Sequence, residues 1–118
     1  MKTTGSAFAT LTNKSSDQAR RQLLLALSQI PSGRLCSYGE LARQAGLPGR
    51  ARWVGRQLSQ LPDKNTLPWH RVINAQGKIS FPHNSEAYRR QLSRLIDEGS
   101  ASPDGKIAWQ RCRWPDQH

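Results

Sequence analysis

The chain has 118 residues, room for one domain around one modest core, and sets 18 Lys and Arg against 8 Asp and Glu for a net charge of +10 and a pI near 10.9. Such an excess implies a polyanionic partner, and 13 of the 18 basic residues are Arg, whose planar fork suits bidentate contacts to phosphates and bases. Cys36 and Cys112 lie far apart without metal-ligand spacing, and no apolar run is long enough for a signal peptide or a bilayer span; the expectation is a cytoplasmic protein with reduced thiols, no metal, no cofactor and no membrane contact.

Residues 1–15 are rich in Thr, Ser, Ala and Lys without an apolar period, and read as a flexible N-terminal tail ahead of a single domain over 16–118. Ser15-Ser16-Asp17-Gln18 has the spacing of a capping box, after which Leu23, Leu27 and Ile30, widened by Leu24, repeat at helical intervals until Pro31. Pro31-Ser32-Gly33 turns the chain into a short extended piece, Arg34-Leu35-Cys36. Ser37-Tyr38-Gly39-Glu40 is a second capping box, opening a short helix with Leu41, Ala42 and Ala45 on its buried side and Gly46 at its end.

Beyond Leu47-Pro48-Gly49 a third helix is expected from Arg50 to about Leu61, with Val54, Leu58 and Leu61 on one face. Two short helices joined so briefly resemble a helix-turn-helix. A polar loop leads to an apolar strand-like stretch from Trp69 to Ile73. A turn at Asn74-Ala75-Gln76-Gly77 then returns the chain through Ile79 and Phe81 as a small hairpin or wing. The last long helix starts at Ser85, buries Tyr88, Leu92, Leu95 and Ile96, and closes at Gly99; Trp109 and Trp114 in the tail are expected to pack on the core. The fold class is therefore mainly α with a small β wing, a winged helix-turn-helix-like DNA-binding domain.

Four stretches in order, Ile30 to Gly39, Ala51-Arg52-Trp53-Val54-Gly55, Pro68-Trp69-His70-Arg71-Val72 and Glu98-Gly99, resemble the O6-alkylguanine-DNA alkyltransferases over about residues 19 to 99. In that family the third stretch reads Pro-Cys-His-Arg-Val, and its thiolate accepts the alkyl group from guanine. The chain looks like an alkyltransferase-like protein, with Trp69 at the place of the reactive cysteine and the family's separate N-terminal domain absent from the resemblance. An indole offers no deprotonatable, polarizable nucleophile.

The resemblance implies a non-enzymatic sensor that binds double-stranded DNA containing O6-alkylguanine, flips the base and flags it for nucleotide excision repair proteins, working as a monomer. A modified guanine hides its O6 in the duplex and must leave the stack to be examined in a pocket. By the same resemblance Arg52 fills the gap left by the flipped base and Tyr38 presses on its phosphate, while Ser37, Gly39 and Ala51 line the DNA approach. Gly55 either admits the DNA backbone or serves helix packing. Trp69 and Pro68 belong to the lesion pocket with His70 and Glu98, the family's base and orienting carboxylate, retained here as a polar network behind the pocket floor. Arg71 reads as an ion-pair member, because a charge in an apolar stretch needs a partner.

Departures from the family's pattern occur at Leu61-Pro62, at Ser80-Phe81-Pro82-His83 and at Trp53, where contacts to guanine and the local groove should differ. Two other functions remain open on the sequence: an enzyme using Cys36 or a water activated by His70, and a sequence-specific helix-turn-helix regulator, which predicts symmetric operators and a dimer.

Overall fold

A computed structural model describes residues 4–62 and 64–115, with side chains from Ser16 onward. Helix α1 spans Thr4–Ser28, reaching back past the capping-box residues where a start was expected. Those residues lie inside a continuous run without proline, in which Ala7, Ala9 and Leu11 favour continuation. The side chains of 1–15, which the expected tail concerns, lie outside the described residues. Leu23, Ala26, Leu27 and Ile30 are buried along one stripe, Leu24 is half-buried at its edge, and Leu25 faces outward at 61% exposure.

Strand β1, Cys36–Ser37, runs directly into helix α2, Tyr38–Gln44. The Ser37 hydroxyl accepts the amide of Glu40, which makes it the N-cap that the spacing predicts. α2 ends in a six-to-one bond from Leu47 N to Ala42 O and a five-to-two bond from Gly46 N to Arg43 O, with Gly46 at φ +79°. The turn through Gly49, also at positive φ, leads to helix α3, Ala51–Ser59, which buries Val54 against Leu41 and Ala42. The helix-turn-helix is thus locally encoded at both its caps.

Between α3 and the next strand the backbone of Trp69–Arg71 forms a 3-10 turn, not the extended segment expected, with Arg71 N bonded to Pro68 O. Strand β2, Val72–Ile73, pairs in parallel with β1, Cys36 opposite Val72 and Ser37 opposite Ile73. The expected return strand through Ile79 and Phe81 is absent among the described residues. Asn74 closes the turn instead, its side-chain oxygen accepting the amides of Gln76 and Lys78, and the chain leaves as a loop.

Helix α4, Glu86–Asp97, is capped by Ser85 and closes on Gly99 at φ +80° with bonds from Gly99 N to Ile96 O and Ser100 N to Leu95 O. A short helix α5, Trp109–Cys112, follows, and the chain beyond it runs beside β1: Leu35 N bonds to Cys112 O and Trp114 N to Leu35 O.

Two apolar clusters result. One gathers the α1 stripe, α2, Val54, Cys36 and Val72, with Trp114 packed on it; the other joins Leu35, Ile73, Ile79, Leu95 and Cys112, with Trp109 packed on it. Alternate residues of the short strands face opposite clusters, so the two-stranded sheet is the partition between them. Among the described residues no helix is long and apolar enough to cross a membrane.

Candidate nucleic-acid interface

Tyr38, at the first position of α2, and Ala51, Arg52 and Gly55, on α3, face the 3-10 turn across a cavity of about 460 Å³ that has Trp69 in its wall. That size lies within the usual range for a small-molecule or base-binding pocket, about 300–1,000 Å³. Leu58, Val72 and Phe81 supply further apolar wall, and the Trp69 and Phe81 rings meet edge to face with centroids 6.4 Å apart. A flat, apolar, aromatic enclosure of this kind can hold a planar base. Arg52 also borders a second surface groove, of about 430 Å³, between Arg50, Trp53 and Arg56 at the start of α3. Arg52 thus borders both the aromatic cavity and a basic groove.

Gly39 and Gly55 occupy helix positions whose freedom the fold does not use. A Cβ at Gly55 would meet nothing closer than the Tyr38 ring at 3.9 Å, and one at Gly39 would meet only the Ala51 methyl, at 4.0 Å. Packing does not require either glycine, and each weakens its helix by about 1 kcal/mol relative to alanine.

Behind Trp69 lies a polar network. His70 is buried, and its Nε2 is 2.9 Å from Glu98 Oε2; neutral His70 there donates to the carboxylate. Arg71 donates through Nε to Glu98 Oε1 at 2.9 Å and through Nη2 to Oε2 at 2.6 Å, and its Nη1 reaches Ile30 O at 2.7 Å, so it is the ion-pair member expected. The Gly33 amide completes the carboxylate's shell at 3.3 Å. Burial opposes ionisation of Glu98, but Arg71, His70 and Gly33 outweigh it and hold the carboxyl down at about 2. Burial pushes His70 below its ordinary value against the pull of Glu98, so the imidazole is neutral near pH 7. Its Nδ1 is buried without a hydrogen-bond partner among the described residues.

The cavity thus brings together Tyr38, Ala51, Arg52, Gly55 and Trp69 from the residues singled out in the sequence. Pro68, His70 and Glu98, expected in the pocket, are not among the residues that line it: Pro68 precedes the 3-10 turn and His70 bonds to Glu98; Ser37 is engaged as a helix cap, and Gly39 lies beside Ala51. Sequence reasoning missed Gln91, which lines the cavity while its buried amide donates to His70 O at 3.0 Å and Val72 O at 2.9 Å, tying α4 to the 3-10 turn. Its signal was its phase, three residues after Tyr88 and one turn before Leu95, on the buried stripe of α4. Cys36 is fully buried, and burial, with the nearby Glu40 carboxylate, pushes its thiol up to about 12.

Residues 18–100 match the family model for the DNA-binding domain of 6-O-methylguanine DNA methyltransferase. A DNA base-flipping protein of Vibrio parahaemolyticus is 46% identical over 99 residues, which cover 83% of this chain and 97% of that protein. Alkyltransferase-like protein 1 of Schizosaccharomyces pombe is 45% identical over 74 residues, 63% of this chain and 68% of its own length. The crystal structure of the S. pombe protein Atl1 with damaged DNA containing O6-carboxymethylguanine superposes with a TM-score of 0.74 at 35% identity, covering 85% of this chain and 97% of that one.

Proposed function

Because this chain belongs to the family of the 6-O-methylguanine DNA methyltransferase DNA-binding domain, we propose that it is a non-enzymatic sensor. It binds duplex DNA containing O6-alkylguanine, rotates the modified base into the cavity walled by Trp69, and marks the lesion without repairing it. The observation that carries this reading is the cavity itself: an aromatic-walled space of about 460 Å³ lined by Tyr38 from one helix, Arg52 from the next and Trp69. The base-flipping and alkyltransferase-like names of its relatives support it.

In this reading Arg52 enters the duplex and takes the place of the extruded base, which otherwise costs a few kcal/mol of lost stacking. Tyr38 presses on the phosphate of the flipped nucleotide. Ser37, Gly39, Ala51 and Gly55 keep the helix-turn-helix surface small enough for the backbone to approach, which explains two helix glycines that packing does not need. Trp69 offers its ring to the alkyl group, at the position the resemblance gives to the reactive cysteine, and the network of His70, Glu98 and Arg71 fixes the turn that carries it. Hand-over to nucleotide excision repair by a monomer in the cytoplasm belongs to the same proposal, on the resemblance alone.

An enzyme working through Cys36 finds no support, since a fully buried thiol raised to about 12 is not a thiolate near pH 7. The deciding experiment compares binding to guanine and O6-methylguanine duplexes and then weighs the recovered protein. Tighter binding to the lesion, unchanged protein mass and still-methylated DNA are expected. Stoichiometric gain of one methyl group, or the return of plain guanine, would replace the sensor with an enzyme.

A further inference from the structure

Helix α3 separates two recesses. Gly55 and Leu58 line the cavity that holds Trp69, whereas Arg50, Trp53 and Arg56 line the groove of about 430 Å³, and Arg52 borders both. No carboxylate lines that groove, so its three guanidiniums crowd like charge onto one surface until an anion occupies it. Arg50 and Arg56 are exposed, and neither side chain has a hydrogen bond or an ion pair among the described residues.

Trp53 gives the groove its order. It is half-buried and packed on the apolar cluster of α1 and α2, and the Arg50 guanidinium lies over its ring, 5.0 Å from the centroid. An exposed arginine otherwise spreads over many rotamers, whose freedom is lost when it grips an anion. An indole anchored in the core holds this one at the groove in advance. Trp53 is also one of the departures from the family's pattern, so its role here does not follow from membership.

Resting on the reading of Arg52 as the residue that fills the gap left by the flipped base, we propose that this groove seats the sugar-phosphate backbone of the strand opposite the lesion. In that reading the phosphate of the flipped nucleotide lies against Tyr38, on the cavity side of α3. With Arg52 in the gap, the other flank of the helix faces the complementary strand. Arg50 and Arg56 take its phosphates, and Trp53 is the positioning residue that holds Arg50 to them. Recognition of the lesion thus draws on both strands, through residues that never touch the lesion itself.

The test replaces single phosphates by uncharged methylphosphonates, one linkage at a time, along the strand opposite O6-methylguanine, at about 0.1 M salt. At least one neutral linkage should weaken wild-type binding about fivefold or more, the scale of one phosphate contact by counterion release. In Arg50→Gln the penalty at its linkage should fall close to one. Trp53→Leu keeps both arginines but removes the ring, and should reduce that penalty to about twofold, with Trp53→Phe restoring most of it. Arg50→Lys, on the exposed surface, should reduce it likewise without touching the core. Each penalty is a ratio within one protein, so partial unfolding cancels, and the wild-type scan stands even if a variant fails to fold. A flat wild-type scan, or a penalty that survives both Arg50→Gln and Arg56→Gln, would overturn the seat. A penalty unchanged in Trp53→Leu and in Arg50→Lys would remove the indole from it. A wild-type protein that prefers O6-methylguanine to guanine yet gives a flat scan defeats the seat alone; no preference for the lesion defeats the lesion reading and the strand assignment together.

Discussion

Glu98 draws three distant parts of the chain to one carboxylate: the Gly33 turn, the 3-10 turn through His70 and Arg71, and the end of α4. Its folded value of about 2 lies below the ordinary 4.5, so its contribution to stability is complete above about 4.5 and is lost as pH falls through 2. His70 adds a loss in the same direction. Its folded value is depressed from 6.5, so acidification below 6.5 protonates the unfolded chain while the folded chain resists. The urea midpoint of the wild type should therefore fall steadily from pH 7 towards 2. Glu98→Gln should cost about 2 kcal/mol at pH 7, through the partly buried guanidinium and imidazole left without their carboxylate, and should flatten the acid limb between 4.5 and 2. A variant curve parallel to the wild type over that limb would mean the carboxylate is not the residue that matters. At the cavity mouth the expectation is different. Arg52 is exposed, so Arg52→Ala should leave the unfolding curve in place while weakening lesion binding by about 1–3 kcal/mol. A fluorescent base analogue at the lesion reports extrusion, and an unchanged signal with the variant removes the assignment of Arg52 to the gap.

Among the elements, the turn after β2 and the helix α5 are coupled at a single residue. Gly77 has φ +79°, and a Cβ there would lie 2.7 Å from the Trp109 ring and 3.0 Å from its Cβ, near the root of that side chain where it cannot swing away. Gly77→Ala should cost about 2 kcal/mol or more by combining a left-handed backbone with a clash, read as a lowered thermal midpoint. Gly55→Ala should do the reverse: a gain of up to about 1 kcal/mol in α3, with weaker DNA binding as the methyl enters the approach surface. A loss of stability would return Gly55 to a packing role, and binding that does not weaken would remove it from the approach surface. The contrast shows what sequence can convey. Caps and stops at Ser37, Gly46, Ser85 and Gly99 are written in adjacent residues, so the helix-turn-helix and α4 were legible with nearly their observed bounds. The parallel pairing of Cys36 with Val72, and the run of the chain after α5 beside Leu35, join residues with no local signal between them. The sequence instead suggested a hairpin, because Asn74 to Gly77 does form a turn. In the site, Tyr38, Arg52 and Trp69 were legible as members of recognisable stretches. Gln91 was not, because its role depends on how α4 is rotated against the 3-10 turn, and an amphipathic period fixes that only to within a residue.

Over the whole molecule the dominant fact is charge, +10 in 118 residues, and its placement decides what it does. Arg43 on α2 and Arg50, Arg52 and Arg56 at and along α3 are all exposed, and the last three border one groove. Arg43 has Glu40 3.4 Å away, but at 68% side-chain exposure such a pair competes poorly with a phosphate. A cationic surface of this size should displace counterions from any duplex, damaged or not. The logarithm of the association constant should then fall linearly with the logarithm of salt, by about 0.9 for each phosphate neutralised, or roughly 3 to 4 if these four arginines carry the contact. Arg50→Ala should lower that slope by about one on guanine and O6-methylguanine duplexes alike. The preference for the lesion is set inside an aromatic cavity where no counterion is released, so the ratio of the two affinities should stay nearly constant across the same range of salt. A shallow slope on both duplexes would mean the helix-turn-helix face does not follow the phosphates. A lesion preference that vanishes together with the total affinity would mean discrimination is made at the charged surface, and the cavity at Trp69 would lose its role as the place where the base is read.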